Sequence, residues 1–71
     1  MQIDRDALIA RRQALPLTQA ELAERVGITE NSVWLIENGR VTRPRPSTLR
    51  SLAKALNVRV EDITRPVERA S

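Results

Sequence analysis

A three-residue connection between two helical segments constrains this chain more than any other feature of its sequence. Residues 18–21 read Thr-Gln-Ala-Glu, the pattern with which a threonine and a glutamate begin a helix by reciprocal hydrogen bonds. Helical periodicity then runs to Gly27, a residue that ends helices in a left-handed conformation. Thr29 begins the next helix, which continues to Gly39. With only residues 27–29 between them, the two helices must meet steeply.

A steep contact between these two helices requires a small residue on the first and a branched apolar residue on the second, and the sequence supplies both. Ala23 lies four residues before Gly27, and Val33 follows Gly27 by six. This spacing is typical of a helix-turn-helix. A plain pair of antiparallel helices can match the same three positions, so the pattern leaves both readings open.

The remaining periodicity predicts three further helices and therefore an all-α fold of five helices. The first begins at Asp4 and stops near Leu15, before Pro16. The fourth begins at Pro46 or Ser47 and runs to Leu56, and a short fifth follows with Glu61-Asp62 at its start. The predicted core is Leu8, Leu15, Leu22, Ala23, Val26, Val33, Ile36, Leu49, Leu52, Leu56, Val58, Val60 and Ile63.

The amino-acid composition excludes several classes of function. The 71 residues include no cysteine and no histidine, which excludes disulfides, a cysteine nucleophile, imidazole bases and the usual zinc ligand sets. No apolar run approaches the ~18 residues of a membrane span, and no signal peptide is visible. We therefore expect a cytoplasmic, non-enzymatic module without metal, cofactor, small-molecule ligand or membrane contact.

Positive charge is concentrated in one block. Residues 38–60 carry five arginines and one lysine and no acid, whereas residues 1–37 carry four arginines against six acids. A basic block within a weakly acidic chain indicates contact with a polyanion. A solvated helix face would also produce such a block, and charge alone does not separate the two.

Four short motifs carry a family resemblance. They are Leu17-Thr18-Gln19, Glu21-Leu22-Ala23, Val26-Gly27 and Ile36-Glu37-Asn38-Gly39. With residues 48–58, they resemble the Cro and phage-repressor type of helix-turn-helix, the xenobiotic-response-element family, and the Arg43-Pro44-Arg45 loop is most similar to lambdoid phage repressors. The resemblance implies a compact five-helix, lambda-repressor-like DNA-binding domain over residues 1–64. It also implies a regulator of transcription. We expect residues 65–71 to form a flexible tail.

Helical geometry predicts which side chains of the third helix face outward. At about 100° per residue, placing Val33 inward puts Asn31, Leu35 and Asn38 on the opposite side and Trp34 on the flank. In the family fold this helix lies in the major groove of DNA. An asparagine there can pair with the N6 and N7 atoms of adenine, so Asn31 is predicted to contact a base. Its simpler alternative is a polar residue that only faces solvent.

Four neighbouring residues are further candidates for base contact, each with a simpler alternative. Leu35 either contacts a thymine methyl or covers the core edge, and Glu30 either accepts from cytosine N4 or repels phosphate. Ser32 either contacts DNA or bonds the local backbone. Trp34, the only aromatic residue, covers the core edge, packs on deoxyribose and thymine, or contacts a protein partner.

The resemblance also implies phosphate contacts and one internal ion pair. The predicted phosphate contacts are Gln19, Asn38, Arg40, Arg43 and Arg45. Arg12 and Glu37 both face inward on the helical pattern, and the family pairs the matching residues as a partly buried ion pair. That pair would tie the first helix to the third.

These expectations combine into one leading function and one alternative. The leading function is a sequence-specific double-stranded DNA-binding regulator, a repressor, that reads a short palindromic operator with residues 29–38. One small domain contacts one half-site, so a weak homodimer is expected, formed around Val58 and Val60. The alternative is a protein-binding module, such as an antitoxin or a phage adaptor, that binds its partner through Trp34 and Leu35.

Overall fold

The computed structural model describes residues 2–66, which form a small, mostly helical domain with four α-helices, one 3-10 turn and one two-stranded sheet. The elements are β1 (Gln2–Ile3), α1 (Arg5–Ala14), α2 (Gln19–Val26), α3 (Glu30–Glu37), α4 (Pro46–Leu56), the 3-10 turn (Val60–Asp62) and β2 (Thr64–Arg65). β1 and β2 are antiparallel, with Ile3 opposite Thr64. α3 packs against both α1 and α2, and α4 packs against α2.

The predicted ends of the four helices are confirmed. The Asp4 carboxylate accepts a hydrogen bond from the Ala7 N–H at 3.2 Å at the start of α1. At the start of α2, the Thr18 hydroxyl and the Glu21 carboxylate each accept from the other residue's backbone N–H, at 3.1 and 2.9 Å. Gly27 ends α2 with φ of 85°, the left-handed conformation that glycine adopts without strain.

The predicted fifth helix is not confirmed, because residues 60–62 form a single 3-10 turn. The chain straightens directly after Ile63 to reach β1, and the Ile63 carbonyl accepts a hydrogen bond from the Asp4 N–H at 2.8 Å. A longer helix would carry this segment away from that partner. Arg65, predicted to begin the tail, lies in β2, and residues 67–71 lie outside the described residues.

The core occupies the centre of the four helices and is closed by Ile3 and Ile63. Its buried members are Ile3, Leu8, Leu17, Leu22, Ala23, Val33, Ile36, Leu49, Leu52, Ala53, Leu56 and Ile63. The prediction of Leu15 as a core residue is wrong, since its side chain is 42% exposed. α1 ends at Ala14, and the following turn places Leu17 inward instead. Val26, Val58 and Val60 are only half-buried at the core edge.

Backbone hydrogen bonds fix the loop that follows α3. The Leu35 carbonyl accepts from the N–H groups of Arg40 and Val41, at 2.9 and 3.2 Å. The Thr42 carbonyl then accepts from the Ile3 N–H at 2.9 Å, which ties the loop to β1. The basic segment therefore leaves α3 along a defined path beside the helix. None of the helices within residues 2–66 is long and apolar enough to cross a membrane.

Candidate functional site

α3 divides into a buried side and a solvent side. Its buried residues are Val33, Ile36 and Glu37. Its outer face, defined here as Glu30, Asn31, Trp34 and Asn38, is exposed. Ser32 and Leu35 are half-buried at the border of this face. The burial pattern confirms the inward Val33 and the outward Asn31 and Asn38. Leu35, predicted to face outward, is half-buried instead, and Trp34, predicted on the flank, is exposed.

One side of the outer face borders the start of α2. Gln19 from α2 and Glu30, Asn31 and Trp34 from α3 line a shallow groove there. Trp34 remains 43% exposed, so a large apolar ring lies beside two amide side chains. The ring therefore offers apolar surface to a partner at this groove.

The other side of α3 borders the basic loop, defined here as residues 40–45. Ser32 and Leu35 line a second groove together with Arg43 and Arg45. Arg40, Arg43 and Arg45 are all exposed. Within residues 2–66, no carboxylate lies within 4.0 Å of these three guanidinium groups. The loop therefore presents uncompensated positive charge along one flank of the helix.

Two of the candidate side chains make hydrogen bonds at the ends of α3. The Ser32 hydroxyl lies 2.9 Å from the Thr29 hydroxyl, which also accepts from the Ser32 N–H at 3.1 Å. The Asn38 amide nitrogen donates to the Trp34 carbonyl at 2.8 Å. Both side chains therefore stabilise the helix ends, and both still lie at or beside the outer face.

The structure brings Arg12 and Glu37 together as an ion pair. Arg12 Nε and Nη2 donate to the two carboxylate oxygens of Glu37, at 2.7 and 2.9 Å. Arg12 Nη1 donates to the Leu17 carbonyl at 2.8 Å. The side chains are only 13% and 4% exposed, so α1 and the end of α3 are joined by a buried, bidentate contact.

Gln19 takes part in the same network. Its amide nitrogen donates to Glu37 Oε1 at 3.0 Å, which adds α2 to the pair. An amide nitrogen carries two hydrogens, so one donor of Gln19 remains for a ligand in the groove beside Asn31. Among the described residues, every buried side-chain nitrogen and oxygen has a hydrogen-bond partner.

The first turn of α2 also contains a carboxylate with a shifted pKa. The Thr18 backbone N–H donates to the Glu21 carboxylate at 2.9 Å and, together with the nearby Thr18 side chain, holds the pKa of Glu21 below its ordinary value. Glu21 is therefore ionised at neutral pH, and its charge favours the helix N-terminus. Across residues 2–66, no group of three or more acidic side chains is placed to hold a metal ion.

Sequence reasoning missed two features near the end of α3. Gly39 has φ of 75°, and a Cβ atom there would lie 2.6 Å from Arg5 Nη1. Arg5 therefore lies against the end of α3, although the two are far apart in sequence. The Ile3 to Thr42 bond that holds the basic loop was also missed. Neither contact leaves a local signal, because each depends on where the chain terminus packs.

Comparison with known proteins gives a family match over most of the chain. A profile described as a helix-turn-helix domain matches residues 6–65. The chain is 38% identical over 61 residues to the uncharacterized HTH-type transcriptional regulator YozG of Bacillus subtilis (strain 168). That alignment covers 86% of this chain and 69% of the relative.

Solved structures repeat the fold. The P22 c2 repressor, crystallised with a synthetic operator, is 30% identical with a TM-score of 0.76, over 86% of this chain and 91% of that one. The biofilm regulator SinR in complex with DNA has a TM-score of 0.78 at 24% identity, over 82% and 95%. A mutant of hydroxyethylphosphonate dioxygenase has a TM-score of 0.81 at 23% identity, over 97% of this chain but 15% of that one. The last two show the fold alone, and the fold by itself does not decide function.

Proposed function

This chain belongs to the helix-turn-helix domain family, and from that premise we propose that it is a sequence-specific DNA-binding transcriptional regulator, acting as a repressor. The observation that carries the proposal is the exposed outer face of α3 with uncompensated arginines along its flank. Neither the exposed face nor the arginines beside it help to pack the helices together, so their presence at one surface favours a binding role.

The outer face suits the major groove of DNA. That groove is about 12 Å wide and admits one α-helix. Asn31 lies near the start of α3, where residues of this motif reach base edges, and its amide can pair with adenine N6 and N7. Trp34 and Leu35 offer apolar surface to thymine methyl groups or deoxyribose. Glu30 can accept a hydrogen bond from cytosine N4, and the Ser32 hydroxyl can bond to a base or a phosphate.

Phosphate contacts would fix the domain on the duplex. Arg43 and Arg45 flank one side of α3, and Arg40 follows the helix in the same loop. Gln19, at the start of α2, borders the other side. Helix N-termini attract phosphate, and guanidinium groups bind it by paired hydrogen bonds. The P22 c2 repressor, which was crystallised with a synthetic operator, supports this arrangement for the present chain.

We further propose that two copies act together on a palindromic site. One domain of this size contacts only a half-site, and two-fold pairing doubles the contacted sequence. Val58 and Val60 are half-buried beside the 3-10 turn and are the proposed contact between copies. The proposed role is one of binding without catalysis, since the sequence holds no histidine or cysteine to act as base or nucleophile.

The decisive experiment combines a selection with a salt titration. The full chain is used to select sequences from a random duplex pool, which reports site length and palindromy. Binding to a random duplex is then measured from about 50 to about 200 mM KCl, where log K should fall with log salt by about 0.9 for each phosphate contact. An absence of binding at the lowest salt would refute the proposal.

Trp34 supplies an internal reporter for the same titration. It is the only tryptophan in the sequence, so its emission reports on the outer face alone. Saturating DNA should shift or quench that emission, because the ring loses its contact with water. Emission that stays constant through saturation would mean that DNA binds elsewhere on the protein.

The exposed Trp34 also favours a second candidate function, a protein-binding module such as an antitoxin or a phage adaptor. Its partner would contact Trp34 and Leu35. Under this alternative the chain does not bind duplex DNA at low salt, and Trp34→Ala abolishes partner binding while Arg43→Ala does not. The salt titration therefore separates the two candidates.

A further inference from the structure

A small basic pocket lies at the end of α3, outside the groove residues considered so far. Its polar lining residues are Gln2, Arg5, Asn38, Thr42 and Arg65, and Gly39 lines it as well. We infer that this pocket, called here the Arg5–Arg65 pocket, binds a phosphate group of the DNA backbone beside the major groove. The inference rests on the proposed function and adds a site on the opposite end of α3 from Asn31.

Gly39 is what allows Arg5 to lie at this position. A Cβ on Gly39 would meet Arg5 Nη1 at 2.6 Å and Cζ at 3.4 Å, so the guanidinium lies directly against the glycine backbone. Any other residue would also be strained there, because φ is 75°. The glycine thus both ends α3 and leaves space for a cation from α1.

The guanidinium of Arg5 keeps its hydrogen-bonding capacity in this position. Within residues 2–66 its side chain makes no hydrogen bond, and no carboxylate lies within 4.0 Å of it. The negative end of the α3 dipole explains why a cation rests here, but it occupies none of the donors. A guanidinium has five such donors in a fork that matches phosphate oxygens.

The surroundings favour an anion over any other occupant. Arg65 supplies a second guanidinium, likewise without a carboxylate within 4.0 Å among the described residues, and no acidic side chain lines the pocket. The pocket adjoins Asn38 of the outer face and Thr42 of the basic loop. A duplex lying against α3 would therefore bring its backbone to this pocket. A carboxylate of a second copy is the competing occupant.

The test compares the salt dependence of random-duplex binding for Arg5→Ala, Arg65→Ala and the double variant. Each lost phosphate contact should reduce the ratio of Kd at 200 mM to Kd at 50 mM KCl by about 3.5-fold, and loss of both contacts by about 12-fold. Arg5→Lys should weaken binding but retain the wild-type ratio, because the charge remains while the fork is lost.

Arg11→Ala is the matched control, since Arg11 is an exposed arginine of the same helix that does not line the pocket. It changes the net charge equally and should leave the ratio unchanged. Thermal unfolding checks that Arg5→Ala folds. If that variant does not fold, Arg65→Ala carries the test, because its strand pairing uses only backbone atoms.

Three outcomes would overturn the inference. In the first, Arg5→Ala and Arg11→Ala have the same ratio of Kd at 200 mM to Kd at 50 mM KCl, although Arg43→Ala still lowers that ratio. The pocket would then not bind phosphate, but the proposed function would stand. Another is weaker self-association in sedimentation with no change in salt dependence, which would assign the pocket to a second copy. The third is wild-type protein that binds no DNA at low salt, in which case the proposed function fails as well.

Discussion

Arginine serves two opposite purposes in this small domain. Arg12 donates from all three guanidinium nitrogens, to Glu37 and to the Leu17 carbonyl, and is almost buried. Arg40, Arg43 and Arg45 are exposed, with no carboxylate within 4.0 Å in the described part of the chain. The first arginine stabilises the position of α3, whereas the other three leave their charge available to a ligand. All four residues are arginines, so the two roles differ in whether the guanidinium donors already have partners within the protein.

This comparison predicts that variants of the two regions change different measurements. Removing the buried contact should lower the free energy of unfolding, because an uncompensated charge remains inside. Removing an exposed arginine should leave folding nearly unchanged and alter only the electrostatics of binding.

Glu37→Ala should reduce the free energy of unfolding by about 3–5 kcal/mol, since Arg12 keeps its charge without a partner. Urea denaturation of the full chain measures the change. Glu24→Ala, which truncates an exposed glutamate of α2, is the control and should stay within about 0.5 kcal/mol of wild type. A loss below about 1 kcal/mol for Glu37→Ala would mean that the ion pair does not stabilise α3.

Asn31→Ala should remove about 1–3 kcal/mol of discrimination at one operator position while leaving folding intact. The measurement is relative affinity for single-base variants of a sequence selected by the wild-type protein. Binding to random duplex serves as the control and should remain nearly unchanged. An equal loss on every sequence would show that Asn31 does not contact a base.

Arg43→Ala should lower the slope of log K against log salt by about 0.9, which is roughly a 3.5-fold change in the Kd ratio between 50 and 200 mM KCl. Its free energy of unfolding should match that of wild type, because the side chain is exposed. An unchanged slope would remove Arg43 from the phosphate contacts. A lower free energy of unfolding would mean that Arg43, like Arg12, stabilises the fold.

The smallest expected effect concerns Glu21, whose pKa is lowered by the Thr18 backbone N–H. A lowered pKa contributes stability above the unfolded-state pKa, and that contribution is lost as pH falls through the folded-state pKa. Wild type should therefore be slightly more stable than Glu21→Gln at neutral pH, and the difference should vanish in acid. Thermal unfolding against pH measures this, with Glu24→Gln as the control. A difference that persists in acid would contradict the assignment.

Local features of the fold were predictable from the sequence. Thr18, Glu21 and Gly27 specify the ends of α2 through contacts within one turn, so their residue types alone indicate the structure. The inward positions of Val33 and Ile36 follow from helical geometry, as does the exposure of Asn31. The inward placement of Arg12 and Glu37 also follows from that geometry.

Contacts between distant segments were not predictable in the same way. Ile3 is buried where β1 pairs with β2, and a 3-10 turn leads into β2 in place of the expected fifth helix. Leu15 and Leu17 are both apolar and two residues apart, and the turn after α1 decides which one is buried. The placement of Arg5 on Gly39 depends on the same packing of the chain terminus.

The buried link from Arg12 through Glu37 to Gln19 has a consequence for how such a domain diversifies. Inner residues hold α1, α2 and α3 together, so the exposed side chains of Glu30, Asn31 and Trp34 are not needed for this packing. Under the proposed function, exchanging those three positions as a set should change which sequence is bound while leaving the fold intact.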